Sequence, residues 1–422
     1  AETSQYEPRL YKNDVPIEPP GTAEEGYHLT EDLADQAIKF IHTNQALSPE
    51  KPFFLYFAPG AVHGPHQVPK QWADKYKGKF DHGWEALREE TFRRQKELGW
   101  IPEHAELTPI DPTMQKWEDV PEEQRAFQSR LMEVYAGFLE HADVQYGRII
   151  EELETQGLLE NTLIIYINSD NGASAEGMNG TISEALAQNF IETTVDQHIQ
   201  VLEEDYGGID SLGGPLLDSM YHHGWAWAMD TPFKSTKLVA AHFGGTRTPC
   251  VISWPNRIKA DNTPRDQFHH VVDIAPTIYE VLGITPPVLY NGIKQDPIDG
   301  VSMTNTFNDA SAPMRKEIQY FEIFGSRGVY HDGWFAGTFG PRKPWITSVA
   351  SLVDWDPDED VWELYNLKND FSQANDLAQQ MPEKLRKMRM MFTMNATENK
   401  VFPIGAAFYT AIYHPEEMKA ST

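Results

Sequence analysis

Ile164-Ile165-Tyr166-Ile167-Asn168-Ser169-Asp170-Asn171-Gly172 decides how the rest of the chain is read. Four β-branched or aromatic residues in a row predict a buried strand, and Gly172 marks the break after it. A carboxylate and a carboxamide, Asp170 and Asn171, stand where the backbone leaves that strand. Ligands in open α/β sheets bind beyond the carboxyl ends of the strands, so this pair is placed to be functional. Both offer oxygen, the donor that hard cations such as Ca2+ or Mg2+ take. Asp, Asn and Gly also make an ordinary Asx turn, the plainer account of the same residues.

Outward from this strand, helices and strands alternate. Leu33, Ala34, Ala37, Ile38 and Ile41 recur at helical spacing after Thr30, which reads as an N-cap. Phe53-Phe54-Leu55-Tyr56-Phe57 predicts a second buried strand between Pro52 and Pro59. A long amphipathic helix follows over 122–154, with Leu131, Tyr135, Phe138, Leu139, Ala142, Ile149, Ile150 and Leu153 on one face. Cys250-Val251-Ile252-Ser253-Trp254 reads as a further strand and 273–282 as a helix. This rhythm predicts an α/β fold, a mostly parallel sheet sandwiched by helices, over 1–310. Residues 173–232 form an excursion too long for a plain connection and read as a lid or wall. Short strands near 319–323, 328–330, 334–338 and 362–366, with a helix near 382–392, predict a small antiparallel α+β subdomain over 311–422.

Composition narrows the partners. The 422 residues carry 63 acids against 35 bases, a net charge of −28, which disfavours nucleic acid and anionic membrane. Any site for an anion must then be positive locally, through Lys, His or a metal. No apolar run reaches the ~18 residues of a membrane span. Cys250 is the single cysteine, so an intrachain disulfide is excluded, and cytoplasm and periplasm are both compatible. The start Ala1-Glu2-Thr3-Ser4 reads as that of a processed or partial chain.

Three more segments could carry chemistry. In Ala61-Val62-His63-Gly64-Pro65-His66, an imidazole follows a strand end on a rigid loop, fit to donate a proton to a leaving group; a solvated loop histidine is the plainer account. Lys234, Lys237 and Arg247 flank His242-Phe243-Gly244-Gly245, where glycines let backbone approach a ligand and lysine suits an oxyanion; taken singly, these are surface cations. Tyr221-His222-His223-Gly224-Trp225 reads equally as a pocket wall or as core.

Taken in order, these segments resemble the sulfatases of the alkaline-phosphatase superfamily, most closely the bacterial arylsulfatase branch. His63-Gly64-Pro65, the Tyr135 to Leu153 helix, Ser169-Asp170-Asn171-Gly172 and Lys237 with His242-Phe243-Gly244-Gly245-Thr246-Arg247 carry the resemblance. So do Asp273 with Pro276-Thr277, Asp299-Gly300-Val301-Ser302 and Trp362-Glu363-Leu364-Tyr365-Asn366-Leu367. It implies a sulfuric ester hydrolase acting on a small sulfate ester. Asp170 and Asn171 would be half of a Ca2+ site, His63 the imidazole beside the ester oxygen, and Lys237 the sulfate-binding lysine. His222, His223 and Trp225 would contact the substrate.

The family's nucleophile is a formylglycine made within a Cys/Ser-x-Pro-x-Arg motif. The expectation is that this motif, the paired aspartates completing the metal site and the first strand lie outside this chain, upstream or on another chain. Cys250 reads as a small core residue. An arylsulfatase-type hydrolase therefore leads, ahead of a phosphonate or phosphate ester hydrolase of the same superfamily and a catalytically dead binding module.

Overall fold

The computed structural model describes residues 3–189, 191–346 and 355–406. The tail of the expected C-terminal subdomain, 407–422, lies outside the described residues.

Two helices brace the first half. Helix α1 (Leu29–Leu47) buries Leu29, Ala34, Ala37 and Ile41. Its cap is His28, whose ring accepts from the Thr30 N–H at 3.3 Å, not Thr30; the Thr30 hydroxyl turns inward and donates to Gln5 Oε1. After short α2 (Lys70–Asp74) and α3 (Gly83–Glu97) comes α4 (Glu122–Thr155), which buries Leu131, Val134, Phe138, Ala142, Ile149 and Leu153 along one stripe. The predicted boundaries of α4 hold within a residue; on the predicted face Leu131, Phe138, Ala142, Ile149 and Leu153 are buried, and Tyr135, Leu139 and Ile150 half-buried.

Strands β1 (Leu10–Lys12) and β2 (Val15–Ile17) form an antiparallel hairpin ahead of α1, and β3 (Ile164–Ile167) pairs with β4 (Cys250–Ser253) in antiparallel register, Ile164 opposite Ser253 and Ile167 opposite Cys250. Every ladder among the described residues is antiparallel. These ladders do not bear out the expectation of a mostly parallel sheet, and the fold is a mixed α/β one. Phe53–Phe57 shows why. Phe53, Leu55 and Phe57 turn inward onto Ile41, Ile149 and Leu153, while Phe54 and Tyr56 point out at 70% and 82% exposure. The segment has the period-2 burial of a strand, but no neighbouring strand hydrogen-bonds it into a ladder. Cys250 is also corrected: it is exposed on β4, not core.

The C-terminal sheet follows the reading closely. Ile318–Ile323, Ser326–His331, Trp334–Thr338 and Trp362–Asn366 form a four-stranded antiparallel meander, backed by helix Pro382–Glu398 through Met388, Phe392 and Ala396.

The excursion over 173–232 is not a lid. Leu202, Leu217, Tyr221, Trp225, Ala226 and Ala228 sit in the largest core cluster with Trp84, Phe127 and Leu131. So much aromatic surface cannot stay in water: burying one such side chain is worth roughly 1.5–3 kcal/mol. Length alone suggested a lid, and hydrophobic content decided otherwise. Among the described residues no helix is long and apolar enough to cross a membrane.

Candidate active site

The backbone leaving β3 is locked to a second loop, and the lock brings distant residues together. Gly172 N donates to Gly245 O, Lys237 N to Ala173 O, and Ala173 N to the Asp230 carboxylate. A Cβ on Gly172 would lie 1.6 Å from Gly244 O, and one on Gly244 would lie 2.3 Å from the Lys234 and Ser235 carbonyls. The glycines therefore admit backbone against backbone, where the sequence suggested backbone against a ligand.

Lys237 Nζ lies 2.9 Å from His63 Nε2, across 174 residues of sequence. An ammonium has only donors, so His63 Nε2 accepts. The proton then sits on Nδ1, which donates to Gly64 O at 3.1 Å; the tautomer follows from the partners. Lys237 Nζ also meets Glu176 Oε2 at 3.2 Å, and Arg342 Nη2 lies 3.9 Å from Glu176 Oε1. These charged side chains are mostly enclosed, at 16–18% exposure, so water screens them less than a surface pair.

A hydrogen-bonded chain steadies the Lys237 loop. Ser235 Oγ and His242 Nδ1 are 2.7 Å apart, and His242 Nε2 meets Glu363 Oε2 at 2.7 Å. Lys234 Nζ reaches Glu363 at 3.3 Å and donates to the Tyr365 hydroxyl. Burial alone would raise the Glu363 carboxyl, but the bond from His242, the Lys234 charge and the Tyr365 hydroxyl hold it well below the ordinary range. Buried Arg88 donates to the carbonyls of Thr108, Trp227, Pro232 and Phe233 and so fixes the entry to this loop.

Asp170 is exposed and Asn171 half-buried, three and two residues from the Ala173 carbonyl that holds Lys237. Their oxygens are the right donors for Ca2+ or Mg2+, but two cannot supply the roughly six to eight that Ca2+ takes. Among the described residues no three His, Cys, Asp or Glu side chains gather to hold a metal. The donor set does not make a complete cation site, and no step is derived through one.

The residues expected on the pocket wall lie in the core. His222 stacks on Trp84 with ring centroids 4.4 Å apart and caps Gly224 N, His223 accepts from Gln115 N, and Trp225 is fully enclosed. His66 is core too, stacked on Tyr221.

The expectation of a missing nucleophile motif needs correction at the level of spacing, because Ser253-Trp254-Pro255-Asn256-Arg257 has that spacing. Ser253 pairs with Ile164, at the end of β3 away from Asp170 and Lys237. Three strand residues, about 10 Å, separate it from the Ile167 end, so spacing without placement does not make it the attacking group.

Sequence reading missed Glu176, Arg342, Arg88 and Glu363. Glu176 was within reach, since it shares the loop of Asp170 and Asn171. The others come from remote segments that only the folded chain brings near.

The sulfatase family model matches residues 2–284, and that of the N-sulphoglucosamine sulphohydrolase C-terminal region matches 242–400. An uncharacterized sulfatase of Schizosaccharomyces pombe is 31% identical over 360 residues, 83% of this chain and 59% of its own length. An arylsulfatase of Klebsiella aerogenes is 27% identical over 278 residues, 66% of this chain and 56% of its own. The chain thus spans somewhat over half the length of these relatives. Among solved structures, one in complex with its substrate D-glucosamine-2-N,6-O-disulfate aligns with a TM-score of 0.52 at 16% identity, covering 95% of this chain and 74% of that one. A Bacteroides fragilis protein assigned as a sulfatase aligns with 0.51 at 15%, over 89% and 59%. These structural likenesses are ones of fold. The match of the sulfatase model along two thirds of the sequence establishes that the chain belongs to the sulfatase family.

Proposed function

We propose that these residues form the ester-binding part of a sulfuric ester hydrolase of the arylsulfatase type, which cleaves a sulfate monoester to alcohol and sulfate. The observation that carries this reading is the 2.9 Å contact between Lys237 Nζ and His63 Nε2. The similarity to the Klebsiella aerogenes arylsulfatase supports the same reading.

The ammonium of Lys237 binds an oxygen of the sulfate and stabilises charge that grows there as the ester bond breaks. His63, held in one tautomer by Gly64 O, offers Nε2 on the same side. Protonated from solvent, that nitrogen can deliver its proton to the departing alkoxide while Lys237 keeps its charge. Formylglycine, which the family resemblance implies, would supply the attacking oxygen, and Ca2+ would add positive charge at the sulfate. No described residue is assigned either role.

Calorimetric titration of the purified chain with nitrophenyl sulfate tests this directly. Binding is expected in the unsubstituted chain, and Lys237→Ala should weaken it by roughly 10- to 100-fold, the value of a charge-assisted hydrogen bond. Equal binding by both would sink the proposal. Turnover by the chain alone is not expected, because neither Lys237 nor His63 replaces a covalent nucleophile. Turnover that Lys237→Ala abolishes would show another residue here to be the nucleophile.

A further inference from the structure

We infer that Glu176 is a specificity-determining residue of this site, which disfavours a doubly charged ester relative to a singly charged one. This rests on the reading that Lys237 binds the anionic group of the ester.

Glu176 lies where a selective negative charge would act. Oε2 is 3.2 Å from the Lys237 ammonium and Oε1 is 3.9 Å from Arg342 Nη2. The Ser174 hydroxyl donates to Oε2 at 3.1 Å, while Glu176 N donates back to Ser174 Oγ. The loop itself is held close. A Cβ on the next residue, Gly177, would come within 2.2 Å of Tyr221 O, and Met178 O accepts from His223 N. A carboxylate fixed on both sides does not swing away easily when a ligand arrives.

The consequence is electrostatic. A sulfate monoester is a monoanion. A phosphate monoester, with its second pKa near 6, approaches two negative charges above neutral pH. An anion that reaches Lys237 Nζ is brought within a few ångströms of the Glu176 carboxylate, in an enclosed place where such repulsion is stronger than in water. The second negative charge feels that repulsion as fully as the first, so the dianion is disfavoured more. The effect falls on charge, not on the central atom. A phosphonate monoester, being a monoanion, should therefore group with the sulfate.

Titration of the chain at about pH 8 with nitrophenyl sulfate, nitrophenyl phosphate and nitrophenyl phenylphosphonate separates these terms. The unsubstituted chain should bind the dianion less well, relative to the two monoanions, than Glu176→Gln does. Glu176→Gln should tighten the phosphate by about tenfold more than either monoanion, because one like charge is removed. Glu176→Asp should keep the preference of the unsubstituted chain. A merely structural glutamate would act in the opposite direction, since its loss would disorder Lys237 and weaken all three ligands. Uniform weakening, or unchanged ratios in Glu176→Gln, overturns the inference while leaving sulfate binding by Lys237 in place. Absence of binding by the unsubstituted chain, with no further effect of Lys237→Ala, overturns the underlying reading as well.

Discussion

Lys237 sits between residues whose backbone is left-handed, Ser235 at φ +66° and Leu238 at φ +72°. Non-glycine residues in that region cost about 1–3 kcal/mol each and persist only where the surroundings over-determine them. Here the surroundings are the Ser235–His242–Glu363 hydrogen bonds and the close packing of Gly244. Ordered strain next to the ammonium is consistent with a side chain that must point one way. His63 and Lys237 were legible in the sequence because each follows a loop with a recognisable pattern. Glu176 was not, since a lone glutamate has no pattern and gains its meaning only from what faces it; Glu363 stood in a recognised segment, but its bond to His242 crosses 121 residues that the sequence does not connect. Buried imidazoles give this scale its own prediction. Burial pulls His66 down to about 3 and His223 to about 4, and with the charge of His141 it pulls His28 to about 4. Between those values and the ordinary 6.5 the unfolded chain binds protons that the folded chain refuses, so stability must fall as pH drops below about 6.5. The loss at pH 5 should approach about 2 kcal/mol per ring. Urea midpoints measured near pH 7.5 and pH 5 should show a clear drop, and His66→Phe should make that drop smaller. An equal or higher midpoint at the lower pH would refute the assignment of these rings as neutral core residues.

Elements were legible in proportion to how local their causes are. The burial stripe of α4 is written in i, i+3 and i+4 spacing, and the helix forms where that spacing runs. Strand pairing has no such local cause. Ile164–Ile167 and Cys250–Ser253 are each recognisable, yet nothing in either says that they run antiparallel, and Phe53–Phe57 shows that a strand-like pattern does not guarantee a ladder. The interlock of the two loops was likewise hidden, because it depends on carbonyls meeting hydrogens where side chains are missing. It supplies the prediction at this scale. Gly172→Ala puts a methyl 1.6 Å from Gly244 O, against backbone that has no rotamer to yield. Overpacking of this kind costs typically 1–3 kcal/mol, and a backbone clash belongs at the upper end. The substitution should lower the thermal midpoint and also weaken binding of nitrophenyl sulfate, since Ala173 O is the partner that holds Lys237 N. Gly157→Ala is the control: its φ of +70° carries the ordinary strain, but nothing lies within 4 Å of the added methyl. Its midpoint should fall by that strain alone, and binding should be untouched. A loss of binding equal in the two variants would show that the interlock does not position the lysine.

At the scale of the molecule, the C-terminal sheet is part of the site it backs. Tyr330, Phe335 and Tyr365 from the sheet pack in one buried cluster with Phe233 and Phe243 from the Lys237 loop. The Phe243 and Phe335 rings meet at 5.2 Å and 67°. Polar contacts cross the same boundary: Gln373 Oε1 accepts from Phe243 N at 2.7 Å, Lys343 pairs with Asp111 at 3.1 Å, and Trp345 Nε1 donates to Thr113 at 2.9 Å. The sequence announced the sheet by its change of texture near residue 310. It could not announce how deeply the sheet would be joined to what precedes it, because aromatic residues on both sides look like independent cores until they are seen to share one. That sharing predicts one cooperative unfolding transition for the described core. Phe335→Ala opens a cavity at a fully buried position and should cost about 3–5 kcal/mol. Far-ultraviolet circular dichroism and tryptophan fluorescence should report the same lowered midpoint in that variant, because neither part keeps its buried face without the other. Two separated transitions, only the later or the earlier of which moves on substitution, would show that the sheet folds on its own and that the Lys237 loop does not depend on it.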